Sequence, residues 1–238
     1  MSLYYQTIQK ELTNWEQQML SAPSLRNRLS KGVQNKIQNI VPQKVQDLIT
    51  AAIKTMIETV ISGSSLLTKQ KVFTEPPLSE SDFLVERAFA VYYKMAVAQG
   101  VGFGLGGLLV NLGDLPALMT VKVKFLFDCC KLYGYNPDEK VERLFILHIF
   151  QLAYCGDARR LELFPIMKNW NEHSEQIEMN WEKLQIEYRD YMDISKLLQI
   201  LPVVGAAAGG AANHRLMKKL KITAMNCYRL RYLHENKI

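Results

Sequence analysis

The 238-residue chain has few cysteines and prolines and lacks the sequence features that mark secreted or disordered proteins. Its four cysteines include an adjacent pair, Cys129 and Cys130, and its first residues do not form a basic segment followed by an apolar one. Without a secretory signal, a reducing cytoplasm is expected and a disulfide framework is not. Eight prolines, 48% hydrophobic and 22% charged residues exclude a collagen-like or disordered chain. We therefore expect a globular or membrane-associated protein with a substantial core.

The sequence also lacks the spacing patterns of common catalytic and metal sites. None of the four histidines has a second His or Cys at zinc-ligand spacing, so neither a metal nor a cofactor is predicted. No phosphate-binding loop and no serine nucleophile elbow is present. The stretch 102–107 matches G-x-G-x-x-G, but no strand precedes it, so the dinucleotide interpretation is rejected. His148 is expected to be a satisfied core residue, and Cys129 and Cys130 are expected to be packed thiols.

Apolar residues recur at helical spacing along most of the chain, and no alternating β-branched run is found. The sequence therefore predicts an all-α fold, a multi-helix globular bundle. The predicted helices cover, in order, 3–20, 24–40, a segment opened by Pro42, a segment with apolar residues at 4-3-4 spacing from Leu84 to Met95, 114–134, 136–154, two further helices that end before Pro202, and 213–233. The Glu-Pro-Pro break at 75–77 predicts a division into an N-terminal portion, 1–78, and a helical core, 79–238.

Two uncharged stretches rich in glycine and alanine, 95–113 and 197–212, stand out within this pattern. The first reaches the length of a marginal transmembrane span and the second does not. Small residues four apart put a flat strip on a helix, across which another backbone can approach closely. Each glycine costs a water-exposed helix about 1 kcal/mol relative to alanine, so a helix over the first stretch requires burial, either in the protein core as a close-packed helix pair or in a bilayer. The third alternative for this stretch is a ligand-cradling loop. The residues expected to pack closely are Gly102, Gly106, Gly107, Gly205, Gly209 and Gly210.

The formal charge of +6 lies entirely in the last part of the chain. Residues 213–238 contain seven basic residues and one acidic residue, whereas 172–193 contain seven acidic residues and two basic ones. A basic helix beside an apolar segment favours an anionic membrane surface, and the alternative is that the acidic and basic helices neutralise each other. Nucleic acid is not an expected partner, because no recognition module surrounds the basic residues. The residues expected to bind a membrane or a partner are Arg215, Lys218, Lys219, Lys221, Arg229 and Arg231.

Asp114 is the acidic residue considered for chemistry, because it lies between a glycine-rich run and Leu115-Pro116. Its simplest expected role is to cap the helix that starts there, which is worth about 1 kcal/mol. The alternatives are an ion pair with Lys122, Lys124 or Arg215, or an acid–base role in a lipid or peptide hydrolase.

Four motifs in the chain carry a family resemblance. They are Gly-Gly-Leu-Leu-Val-Asn-Leu-Gly-Asp-Leu-Pro (106–116), Tyr-Gly-Tyr (133–135), Leu-Pro-Val-Val-Gly-Ala-Ala-Ala-Gly-Gly-Ala-Ala-Asn (201–213) and Tyr-Arg-Leu-Arg-Tyr-Leu (228–233). In order and spacing they resemble the EcsC protein family over nearly the whole chain. The resemblance implies an α-helical bacterial protein of a family named for a gene neighbour of an ABC transporter, and it implies no catalytic residue.

These observations together predict a non-enzymatic accessory protein on the cytoplasmic face of a bacterial membrane, linked to an ABC transporter. Its expected partners are the anionic membrane surface and the transporter, and a homo-oligomer is also compatible with the sequence. Two alternatives are a hydrolase that uses Asp114 and a soluble helical oligomer that serves as an interaction module.

Overall fold

Residues 3–22, 43–62, 70–105, 115–173 and 206–236 are described by a computed structural model of the chain. These residues contain helices and no strand, which confirms the all-α prediction. The helices are α1 (Leu3–Leu20), α2 (Gln43–Ser62), α3 (Leu78–Leu105), α4 (Leu115–Leu132), α5 (Lys140–Tyr154), α6 (Asp157–Lys168), α7 (Trp170–His173) and α8 (Ala206–Glu235). The predicted helix 24–40 and the predicted long helix before Pro202 lie outside the described residues.

The C-terminal helix α8 lies at the centre of the packing. It runs along α3 and also contacts α1, α4, α5 and α6, while α2 packs on α4 and α5. Large aromatic side chains fill the space between these helices, and each contributes about 1.5–3 kcal/mol of burial. The fully buried ones are Phe125, Phe127, Phe145, Phe150, Phe164, Tyr154, Trp170 and Tyr228.

The two N-terminal helices share this core with the later helices. Ile8 and Trp15 of α1 and Met56 of α2 are buried in it, and the Trp15 ring meets the Phe164 ring edge-on at 5.4 Å. The helices before and after residue 78 thus contribute to one hydrophobic cluster. The division of the chain into 1–78 and 79–238 stays a prediction.

Helices α3 and α8 pack antiparallel. The Tyr93 hydroxyl lies 2.8 Å from His214 Nδ1, and about two turns further back along α3, Glu86 pairs with Lys221 at 2.6 Å. Residue numbers therefore fall along α8 as they rise along α3. This direction brings the C-terminal end of α3, with Gly102, and the N-terminal end of α8, with the Gly209-Gly210 pair, to the same end of the helix pair. Close packing of the two small-residue stretches requires that arrangement.

Two of the predicted helix boundaries are confirmed and two are wrong. Helix α1 spans 3–20 and α5 ends at Tyr154, both as predicted, and Gly156 precedes the start of α6. The predicted start of the last helix at residue 213 is wrong, because residues 206–212 are helical as well. Five of these seven residues are alanine, the strongest helix former. The start of α5 at Asn136 is also wrong. The Asn136 side-chain oxygen accepts the backbone N–H of Asp138 at 3.1 Å, which forms a turn before the helix.

The apolar spacing from Leu84 to Met95 does not mark a buried stripe. Val91 and Met95 are exposed, whereas Val85 and Ala96 are buried against the core. Helix α3 packs on α4 and α8 at once, and the positions that face those two helices differ from the 4-3-4 series. None of the described helices carries an apolar stretch long enough to cross a membrane.

A lysine lies inside this core. Lys122 of α4 is 1% exposed, and its ammonium nitrogen is 5.4 Å from the centroid of the Tyr154 ring. Burial lowers the pKa of Lys122 to about 8, because removal from water disfavours the charged form. A charged Lys122 therefore lowers the free energy of unfolding at neutral pH.

Replacing Lys122 with methionine is expected to raise the free energy of unfolding at pH 7 by about 3 kcal/mol, since each pKa unit is worth about 1.4 kcal/mol. The unfolded lysine keeps its proton up to its ordinary pKa of 10.5, whereas the folded one releases it near pH 8. The penalty is thus complete below pH 8 and fades as pH rises towards 10.5. Urea unfolding of both proteins at pH 7 and pH 10 measures this.

Lys124→Met serves as the matched control, because Lys124 lies on the same helix and is only half-buried. That variant is expected to unfold within about 0.5 kcal/mol of the original chain. A stabilisation by Lys122→Met that does not shrink at pH 10 would contradict the desolvation account.

Candidate functional site

The six cations predicted to bind a membrane or partner divide into two groups on α8. Arg229 and Arg231 have side chains only 11% and 10% exposed, and both guanidinium groups are paired with carboxylates. Arg215, Lys218 and Lys219 are exposed near the other end of the helix. The groups differ because the C-terminal half of α8 is surrounded by other helices.

Arg231 is held by a buried carboxylate on α5. Its Nη1 and Nη2 atoms donate to the two carboxylate oxygens of Glu142 at 2.7 Å each, and the Glu142 side chain is 3% exposed. The guanidinium carbon also lies 3.8 Å from the centroid of the Tyr135 ring. Burial lowers the pKa of Arg231, but the hydrogen bonds and charge of Glu142 outweigh burial and raise it above its ordinary value. This fork-on-fork geometry is the strongest that the two groups can form.

Arg229 is held in the same way by α3. Its Nε atom donates to Oδ2 of Asp82 at 2.9 Å, and the hydroxyls of Tyr4 and Tyr133 each donate to the same carboxylate at 2.6 Å. Glu11 of α1 accepts a further bond from Arg229 Nη1 at 3.0 Å. The carboxylate of Asp82 thus ties α1, α3, α8 and the turn after α4 together.

Two of the motifs meet at these pairs. The ring of Tyr228 stacks against Tyr133 at 4.9 Å and against Tyr135 at 5.6 Å. Between those two tyrosines, Gly134 has a φ of 90°, and an added Cβ would lie 3.0 Å from Pro76 Cδ. Glycine is required there by backbone conformation and by space. The described parts of the Tyr-Gly-Tyr and Tyr-Arg-Leu-Arg-Tyr-Leu motifs therefore build the joint between α3, α5 and α8.

Sequence reasoning did not find the acidic partners of these cations. It set the acidic stretch 172–193 against the basic helix, and that stretch lies largely outside the described residues. The observed partners include Asp82 and Glu86, four residues apart on α3, and Glu142 of α5, with Glu11 of α1 and Glu235 at the end of α8 as further carboxylates. The spacing of Asp82 and Glu86 on one helix face was a usable signal, because Lys221 and Arg229 are similarly placed along one face of α8.

Lys221 belongs with the engaged cations. Its Nζ atom donates to both carboxylate oxygens of Glu86, at 2.6 and 2.8 Å, and lies 4.9 Å from the centroid of the Phe89 ring. Its side chain is 16% exposed. Lys221 therefore links α8 to α3.

Exposed apolar side chains accompany the cations that remain at the surface. On α3, Phe83, Val91 and Met95 are 60%, 54% and 49% exposed, and Ile222 of α8 is 40% exposed. Large apolar side chains exposed to this degree and grouped together indicate an interaction surface.

These side chains lie on one side of the helix pair. Around the axis of α3, these side chains lie roughly a quarter to half a turn away from the residues that contact α8. Around the axis of α8, the exposed residues are displaced from the residues that contact α3 in the same rotational direction. In an antiparallel pair, an equal rotation from the contact stripe leads to the same side of both helices. We call this side the outer face and define it by Phe83, Arg87, Val91, Lys94 and Met95 of α3 with Arg215, Lys218, Lys219 and Ile222 of α8.

The outer face is basic. The guanidinium carbon of Arg87 lies 5.8 Å from the centroid of the Phe83 ring, and within the described residues Lys94, Arg215 and Lys218 have no carboxylate partner. Residues 214–222 contain no acid, and the acid between Phe83 and Met95 is the paired Glu86. Cations interleaved with apolar side chains form a surface with amphipathic chemistry.

The other predicted site residues are placed as follows. Gly102 lies in α3, and Gly209 and Gly210 lie in the first turns of α8. Asp114, Gly106, Gly107 and Gly205 lie outside the described residues, so the hydrolase interpretation has no described residue to support it. Within the described ranges, no group of three or more His, Cys, Asp or Glu side chains could hold a metal ion.

His148 and the cysteines are packed in the interior. His148 is buried with its Nδ1 atom 2.8 Å from the Leu144 carbonyl oxygen, and burial lowers its pKa to about 4. Cys129, Cys130, Cys155 and Cys227 are all free and buried. Burial raises the pKa of the Cys129 thiol well above its ordinary value. These residues are therefore core residues, as their positions on apolar helix faces predicted.

The architecture defines an all-helical protein built on a central antiparallel helix pair, with two buried arginine–carboxylate clusters and a basic, partly apolar outer face. A sequence model described as "EcsC protein family" matches residues 6–233, and the chain belongs to this family. The chain is 38% identical to Protein EcsC of Bacillus subtilis strain 168 over 97% of each chain.

A second relative in the same organism is named Uncharacterized protein YdbA. It is 31% identical over 165 residues, which cover 67% of this chain and 60% of the relative. No solved structure matches the chain.

Proposed function

We propose that this protein is an accessory protein that docks on the anionic cytoplasmic surface of a bacterial membrane through its outer face. The observation that carries the proposal is the combination of Phe83, Val91, Met95 and Ile222 with cations that have no carboxylate partner among the described residues. An apolar side chain gains free energy when it leaves water for the lipid interface, and each nearby Lys or Arg adds about 1 kcal/mol at an anionic surface.

The division of the cations supports this choice of face. Arg229, Arg231 and Lys221 form ion pairs with carboxylates of the same chain, so they add little attraction to an anionic membrane. Arg215 and Lys218 project from the described surface of α8 without such partners. A surface that only kept the protein soluble would not need exposed phenylalanine and methionine beside these cations.

The proposed partner at the membrane is an ABC transporter. Support for this part comes from the resemblance to a family named for a gene neighbour of such a transporter, which is an argument by association. Docking of the outer face would restrict the protein to the plane of the membrane, where a weak contact with a membrane-embedded partner gains effective concentration.

The proposal predicts which residue meets the lipid. A fluorophore sensitive to polarity, attached to Cys in the variant Val91→Cys, is expected to shift to the blue and brighten when vesicles with anionic lipid are added. The same label on Ala51→Cys, an exposed position of α2, is expected to keep its spectrum. Labelling is selective because the four native cysteines are buried, and burial also raises the pKa of Cys130 and Cys227.

The two labelled proteins decide between the outer face and other surfaces. A blue shift at position 51 without one at position 91 would assign membrane contact to another face. The absence of a shift at either position, with both proteins left in the supernatant, would contradict membrane docking and favour the soluble oligomer.

A further inference from the structure

A histidine and a tyrosine meet where the outer face borders the contact between α3 and α8. The Nδ1 atom of His214 lies 2.8 Å from the hydroxyl oxygen of Tyr93, and the two rings meet edge-on with their centroids 5.2 Å apart. His214 is nevertheless exposed. The tyrosine therefore holds a solvent-exposed imidazole ring at a defined position on the surface.

The position of His214 on α8 directs its exposed part to the outer face. Leu216 and Met217 are buried, whereas Arg215 and Lys218 are exposed and belong to the outer face. With about 100° of rotation per residue, His214 lies between Met217 and Lys218 around the helix axis. Because the Met217 side is covered by the core, the accessible part of the imidazole lies on the side of Lys218.

The exposed charged groups around this ring are basic. Arg215 follows His214, Lys218 lies about one turn further along α8, and Lys94 follows Tyr93 on α3. Among the described residues no carboxylate pairs with His214, and the acid that precedes Tyr93 on α3, Glu86, is bound to Lys221. A positive charge on His214 would therefore add to the charge of the outer face.

The core side of α8 contributes no exposed charge at this level. Tyr154 of α5 donates its hydroxyl proton to the Leu216 carbonyl oxygen at 3.1 Å, and Lys122 of α4 lies beside the Tyr154 ring. Both side chains are buried. The surroundings of the exposed imidazole are thus set by Tyr93 and by the cations of the outer face.

The contact with Tyr93 is compatible with both charge states of the imidazole. A neutral ring can accept the Tyr93 hydroxyl proton at Nδ1 and carry its own proton on Nε2, whereas a protonated ring donates from Nδ1 to the hydroxyl oxygen. Protonation therefore adds a charge at the surface without removing the contact between α3 and α8.

We propose that His214 contacts lipid headgroups and that its protonation strengthens the docking of the outer face on an anionic membrane. This inference rests on the membrane docking proposed above. A histidine side chain gains its charge between about pH 8 and pH 5. The imidazolium adds an attraction to headgroup phosphates and donates an N–H to their oxygens, so the affinity for an anionic surface rises as the pH falls through this range.

Two other histidines with described side chains differ from His214. His148 is buried, and burial lowers its pKa to about 4, so it stays neutral over this range. His234 is exposed in the last turn of α8, with its Nε2 atom 3.7 Å from Oε1 of Glu172, and it lies far from the outer face. His234 is therefore a matched control.

Co-sedimentation with vesicles of phosphatidylglycerol and phosphatidylcholine at pH 7.5 and pH 5.5 tests the inference. Phosphodiester headgroups keep their charge over this range, so a change in affinity reports on the protein. The unaltered chain is expected to bind about fivefold more tightly at pH 5.5, which is the effect of one added charge at an anionic surface. His214→Gln is expected to respond less than about twofold, and His234→Gln is expected to keep the fivefold response.

The response of the unaltered chain is also expected to shrink at about 0.5 M salt, because salt screens the attraction between exposed charges. Equal affinity at both pH values, a response that His214→Gln leaves unchanged, or a response that persists at high salt would overturn the role of His214 while membrane docking stands. Binding at neither pH would contradict membrane docking, and this inference with it.

Discussion

Replacing Glu142 with glutamine is expected to lower the free energy of unfolding by about 3 kcal/mol, the largest effect we expect on stability. The substitution keeps the shape of the side chain but removes the buried counter-charge of the Arg231 guanidinium, which is left with only the partly exposed carboxylate of Glu235, 3.1 Å from its Nε atom. Arginine cannot escape this cost by releasing its proton, because its pKa lies far above neutral pH. Urea unfolding followed by far-UV circular dichroism measures the change.

A double variant tests whether the loss of stability comes from leaving one charge of the buried pair unpaired. The double substitution Glu142→Leu/Arg231→Met removes both charges and is expected to recover more than half of the loss, because a buried pair replaced by apolar groups of similar size is nearly neutral. The control is Lys54→Met, which breaks an exposed pair with Glu58 at 3.8 Å and is expected to cost less than about 0.5 kcal/mol. A Glu142→Gln variant as stable as Lys54→Met would contradict the assigned role of the buried pair.

Most helices of the described region could be predicted from the sequence, because their signals are local. Helix α1 ends at Leu20, shortly before Pro23, and the Gly156-Asp157 break separates α5 from α6. A proline or glycine acts on the backbone within a few residues, so its effect can be read without knowledge of the fold. Errors arose where a signal had two uses, as at Asn136, whose side chain forms a turn instead of a cap.

The buried and exposed faces of the long helices were less predictable. Helix α3 contacts both α4 and α8, so the apolar series that includes Val91 and Met95 leads away from the core and onto the surface. Apolar spacing indicates that a helix has an apolar face, but it does not state whether protein or another phase covers it. The outer face is visible only after the packing of α3 and α8 is known.

The sequence also could not show which cations of α8 are paired with carboxylates. Their number and position are plain in the sequence, and six of them were singled out as one basic set. Which of them are neutralised depends on residues such as Asp82 and Glu142, which are 147 and 89 positions away along the chain from their arginine partners. Pairings across such distances are set by tertiary packing. Of the six cations, the structure leaves Arg215 and Lys218 exposed and without a carboxylate partner among the described residues, and Lys219 is exposed beside them.

Charge reversal at those two residues is expected to have the largest effect on membrane binding. Arg215→Glu/Lys218→Glu removes two attractions of about 1 kcal/mol each and introduces repulsion, so affinity for anionic vesicles should fall at least about 30-fold. The fold should persist, because neither side chain has a carboxylate partner in the described part of the chain. Binding of the unaltered protein should also weaken as salt is raised, since exposed charges are screened.

Co-sedimentation of three proteins with vesicles of anionic or zwitterionic lipid tests membrane docking by the outer face most directly. They are the unaltered chain, Arg215→Glu/Lys218→Glu, and the control Lys71→Glu/Lys140→Glu, which has the same formal charge and alters exposed lysines outside α3 and α8. We predict that the unaltered chain and the control sediment with anionic vesicles and that the outer-face variant stays in the supernatant. Equal sedimentation of the two variants would contradict the account.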